Sequence, residues 1–179
     1  MQTLVDSGRR LAPLFFLLLG TVALSRSADA QDTLSAHVGV AFPIVTHTSA
    51  GGVSTTTTIS DSFNIAFPFG IGVTPRGSPL AVDFEFVPEV HPGNRAVTFL
   101  LHPGVIKPLP NHWAVGLRAA WEVNQSSLGF TALVNKSFPL PGFKTRWFVE
   151  GDLPVRFSQQ SNGIDANSVG FNIHLGLAF

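Results

Sequence analysis

The chain has 179 residues, eleven basic and eleven acidic side chains, and no cysteine. That length leads to the expectation of one domain, the missing cysteines exclude a disulfide-stapled scaffold, and the balanced charge offers no basic stripe for nucleic acid. Seventeen glycines, thirteen prolines and sixteen phenylalanines, without any sustained helical period, suit many strands broken by turns.

Residues 1–30 carry the three parts of a secretory signal peptide. Arg9 and Arg10 close a charged start, residues 11–24 are almost wholly apolar, and Ala28-Asp29-Ala30 offers a cleavage site. Cleavage after Ala30 leaves residues 31–179 as the expected folded domain, with eight basic and nine acidic residues and a net charge of −1.

Alternation of apolar and polar residues dominates from residue 34 onward. The first strand puts Leu34, Ala36, Val38, Val40, Phe42 and Ile44 on one face, and residues 46–60 read as a polar loop. The second strand puts Phe63, Ile65, Phe67, Phe69, Ile71 and Val73 on one face, and residues 74–79 form a turn. In the third, Leu80, Val82, Phe84 and Phe86 oppose Asp83 and Glu85, with a break at 88–94. The fourth spans about 96–101 and is followed by a proline-rich link at 103–111. The fifth is the clearest: Trp113, Val115, Leu117, Ala119, Trp121 and Val123 oppose Arg118 and Glu122. The sixth runs from 128 to 136 and turns at 137–143. In the seventh, Trp147, Val149, Leu153, Val155 and Phe157 oppose Arg146, Glu150, Asp152 and Arg156. After a polar link at 159–168, the eighth alternates Val169, Phe171, Ile173, Leu175, Leu177 and Phe179 with Asn172, His174, Gly176 and Ala178.

The resulting expectation is all-β: an eight-stranded antiparallel up-and-down transmembrane β-barrel. Its predicted strands reach 11–13 residues, longer than the ~5–6 usual in soluble sheets and close to what a tilted membrane strand needs. Asp83, Glu85, Arg118, Glu122, Glu150, Asp152 and Arg156 share the polar parity, where they are expected to form a lumenal ion-pair network. Trp113 and Trp121 lie on one outward face, roughly 20 Å apart along the membrane normal at a tilt near 40°, which suits the two interfacial girdles.

The last residues, Val-Gly-Phe-Asn-Ile-His-Leu-Gly-Leu-Ala-Phe at 169–179, resemble the C-terminal signature of bacterial outer-membrane barrels, and the chain resembles small barrel proteins of the OmpA/OmpX kind. The resemblance implies an outer-membrane location and contact with lipid and lipopolysaccharide. It also implies recognition of Phe179 by the barrel assembly machinery, with the turns at 74–79, 103–111 and 137–143 on the periplasmic side. A monomer without cofactor or metal is expected, in a structural or surface-interaction role.

Residues 159–163, Gln-Gln-Ser-Asn-Gly, faintly resemble the His-x-Ser-Asn segment of lipid A 3-O-deacylases. That resemblance makes Ser161, Asn162 and, more distantly, His174 candidate catalytic residues for an outer-leaflet lipid-modifying enzyme. The position of the general base holds Gln159, which cannot accept the serine proton. A narrow channel is the third reading. The histidines show no metal-ligand spacing and are expected to be individually hydrogen-bonded.

Overall fold

The computed structural model describes residues 33–93, 95–123, 127–159 and 163–179. The expected signal peptide lies outside them. The described chain is one antiparallel sheet of ten strands: β1 (Thr33–Ala50), β2 (Val53–Thr58), β3 (Ile65–Ala66), β4 (Phe69–Thr74), β5 (Ala81–His91), β6 (Ala96–Leu109), β7 (Trp113–Val123), β8 (Ser127–Pro139), β9 (Arg146–Gln159) and β10 (Asp165–Ala178). No helix among the described residues is long and apolar enough to cross a membrane.

The count of ten corrects the expectation of an eight-stranded barrel. Two local causes account for it. Residues 46–60, expected as a loop, hold most of a hairpin, in which β1 continues to Ala50 and β2 returns alongside it. Gly51 and Gly52 both have positive φ, as a two-residue hairpin turn demands, and the Thr-rich β2 is β-branched. The expected second strand is broken, because Pro68 separates β3 from β4 and has no N–H for a ladder. Both β3 and β4 pair with β1 on one side and β5 on the other.

Other expected boundaries also move. The break placed at 88–94 begins only after His91, and the proline-rich link at 103–111 is strand as far as Leu109. The turn that remains is a short 3-10 segment, Pro110–His112, with Asn111 in the left-handed region at φ 59°. Residues 165–168 of the link at 159–168 belong to β10.

From β5 to β10 each strand pairs with the next, and β10 also pairs with β1 from His37–Ala178 to Ala50–Ala166. A register shift between Pro43 and Val45 exchanges the two faces of β1, so that Ala41, Pro43 and Thr46 line the same cavity.

The two faces of this sheet invert the usual order. Among the described residues, nine polar or charged side chains are buried against seven hydrophobic ones, four of which are alanines. Thirty large hydrophobic side chains among the described residues are exposed. A soluble domain buries such groups, because each leaves water favourably by ~1.5–3 kcal/mol.

Candidate functional site

The buried polar groups centre on Arg118 of β7, which is only 4% exposed. Its Nε donates to Asp83 Oδ2 at 2.7 Å and its Nη1 to Glu150 Oε1 at 2.8 Å, while Nη2 lies 3.6 Å from Glu85 Oε2. Register creates this meeting. Asp83 stands opposite Gly104, and Gly104 opposite Arg118, so three strands set the pair in one row. Gly104 gives the guanidinium stem its space: a Cβ there would lie 2.7 Å from Arg118 Cγ and 2.8 Å from its Cα.

Three histidines complete the cluster, contrary to the expectation of isolated rings. His37 Nε2 lies 3.0 Å from Glu85 Oε2, His102 Nδ1 3.1 Å from Glu85 Oε1, and His174 Nδ1 3.3 Å from Glu150 Oε1. His102 Nε2 also lies 3.2 Å from Arg156 Nη2. A guanidinium can only donate, so His102 Nε2 accepts and its Nδ1–H donates to Glu85. Asn135 Nδ2 donates to Glu150 Oε2 at 3.1 Å. Phe148 packs edge-on against His174 and His37. Inner parity on each strand was the available sequence signal for these histidines.

The expected network residues do not all meet. Asp83, Glu85, Arg118 and Glu150 come together. Arg156 instead donates to Thr131 Oγ1 at 3.1 Å and to the carbonyls of Phe130 and Val155. Asp152 is 7% exposed, and its Oδ1 has no hydrogen-bond partner among the described residues. Glu122 lines the cavity above the cluster.

Two recesses adjoin this layer. An inner cavity of about 150 Å³ is lined by Glu85, Arg118, Glu122, Asp152, Arg156 and His174 among others. An outer one of about 360 Å³ includes Thr57, Thr58, Ser62, Glu89 and His91. They share Pro43, Thr46, Glu89 and Glu122. At the outer rim the Thr58 hydroxyl and N–H donate to Asp61, holding that exposed carboxyl below its ordinary range.

One group of metal-ligating atoms occurs among the described residues: Glu85, Glu150 and His174 offer atoms within 4.8 Å of one another. The Arg118 guanidinium already faces both carboxylates. The donor set therefore fits its own arginine better than a metal ion.

Ser161 and Asn162 lie outside the described residues. His174 is 1% exposed and sits beside Glu150 deep on β10. Gln159, at the position of the deacylase base, donates to Asp165 at 3.5 Å.

The outward face carries an aromatic group at the turn end. Lys136 Nζ lies 5.1 Å from the Trp113 ring centroid and donates to the Asn111 carbonyl, and Phe138 stacks on Trp147 at 4.1 Å.

No protein-family model matches the chain, and no curated protein matches it in sequence. The structure is similar to the crystal structure of Neisserial surface protein A (NspA), with a TM-score of 0.47 and 10% identity, over 80% of this chain and 97% of that chain.

Proposed function

We propose that this protein is a structural or surface-interacting component of the bacterial outer membrane, exported by residues 1–30 and crossing the bilayer with the ten-stranded sheet described above. One observation carries the reading: among the described residues thirty large hydrophobic side chains are exposed while Asp83, Glu85, Arg118, Glu150 and Asp152 are buried. In hydrocarbon the outward side chains lose nothing, and the charges are sheltered inside.

Backbone pairing supports the same reading. Lipid offers no partner for a free N–H or C=O, and the pairing of β1 with β10 leaves neither as a free edge along their ladder. Trp113, Trp147 and Lys136 at one end suit a headgroup interface. Lipid and the lipid part of lipopolysaccharide are the partners of the outward face, and the assembly machinery reads the strand ending in Phe179. The packed layer of Arg118 and Phe148 argues for a structural interior over a conducting one. The working unit is a monomer.

The test is to refold the chain in detergent and compare unheated and heated samples by gel electrophoresis. A heat-modifiable band is expected. A species that dissolves without detergent and migrates identically in both states would overturn the proposal.

A further inference from the structure

Two buried polar atoms, Asp152 Oδ1 and His174 Nε2, have no hydrogen-bond partner among the described residues, and both side chains line the inner cavity. An unpaired carboxyl oxygen at such a depth is costly unless something donates to it. The neighbouring cations are committed elsewhere. Arg118 directs its N–H groups at Asp83, Glu85 and Glu150, and Arg156 directs its own at Thr131, His102 and backbone carbonyls.

Acidic side chains outnumber guanidinium groups in the cavity lining. Glu85, Glu89, Glu122 and Asp152 line it, against Arg118 and Arg156. The recess of about 150 Å³ matches in size the engineered cavity, roughly 150 Å³, known to hold a benzene ring. A bare metal ion fits it poorly, because the one convergent set of metal ligands among the described residues is Glu85, Glu150 and His174, and Arg118 stands there already.

We propose that the inner cavity binds a small organic cation, a primary ammonium of about benzene size, whose N–H groups donate to Asp152. The binding site goes beyond the membrane role and does not depend on it. The ammonium nitrogen lies at Asp152, and its remaining charge faces Glu122 and Glu89, which also line the outer recess.

Calorimetric titration of the refolded chain with benzylammonium chloride, benzyl alcohol and calcium chloride tests this. The ammonium is expected to bind and the alcohol, of the same shape without charge, is not. Asp152→Asn should weaken ammonium binding roughly tenfold or more, the size of a lost charge-assisted hydrogen bond. Glu122→Gln, outside the Arg118 cluster, should weaken it severalfold and carries the test if the first variant does not fold. Equal binding of the alcohol, unchanged affinity in the variants, or binding of calcium without the ammonium would each overturn the assignment. Heat-modifiable mobility reports separately on the membrane reading.

Discussion

Ala36 and Phe179 exchange two backbone hydrogen bonds, Ala36 N–H to the Phe179 carbonyl at 2.8 Å and Phe179 N–H to the Ala36 carbonyl at 2.9 Å. The last residue of the chain is thereby fixed to the first strand, extending the ladder between β1 and β10. Ala36→Pro removes one of those donors and constrains φ. It should lower stability by about 3 kcal/mol, read as a reduced urea midpoint in detergent. An unchanged midpoint would mean that this end of the seam contributes nothing.

Arg118 faces three buried carboxylates, so removing its charge leaves them uncompensated. Arg118→Met should cost roughly 3–5 kcal/mol. Arg118→Lys should recover little, because one ammonium cannot span Asp83 and Glu150 as the guanidinium fork does. Urea unfolding of both variants checks this, and full rescue by lysine would count against the fork geometry.

Gly104 and Gly93 form a matched pair of tests. A methyl at Gly104 meets Arg118 below 3 Å, whereas nothing lies within 4 Å of one at Gly93. Gly104→Ala should therefore destabilise by about 1–3 kcal/mol, while Gly93→Ala should stay within about 0.5 kcal/mol. Equal effects would mean that β6 can move away from β7 freely.

Leu117, 51% exposed in the middle of β7, separates the membrane reading from an aqueous one. In a bilayer, Leu117→Arg should cost about 2–4 kcal/mol, and Phe143→Arg at the turn end about 0–1 kcal/mol. For a protein surrounded by water both would be nearly neutral. Folding into lipid vesicles, followed by denaturant titration, gives the comparison.

Asp61 provides a pH test outside the spanning segments. Its carboxyl is held below the ordinary range by Thr58, so the contribution to stability is present above the unfolded value and fades as pH falls through the lower, folded one. An NMR titration of Asp61 should show a midpoint below ~3.9 that returns toward it in Thr58→Val. A midpoint at or above ~3.9 in the parent chain would remove the Thr58 contact from the account.

Parity was legible wherever strands ran unbroken. The outward set Trp113, Val115, Leu117 and Trp121, and the buried set Glu150 and Asp152, follow from a period of two that any strand must obey. Prolines misled in both directions. Pro103 and Pro108 sit within β6 without ending it, whereas Pro68 divides the expected second strand. The Thr-rich stretch beside Gly51-Gly52 carried a hairpin signal that its polarity concealed.

Within unbroken strands, sequence alone determined which side chains share a face, because alternation is a local property of the backbone. It also supplied the residue types of the charged interior. Only the tertiary structure decided that Arg118 meets Asp83 across Gly104, that His102 links Arg156 to Glu85, and that Asp152 Oδ1 has no hydrogen-bond partner among the described residues. Those relations depend on the register between strands distant in the chain and on the shift at Pro43, which no local pattern encodes. The count of ten strands was decided in the same way, by which segments found a partner.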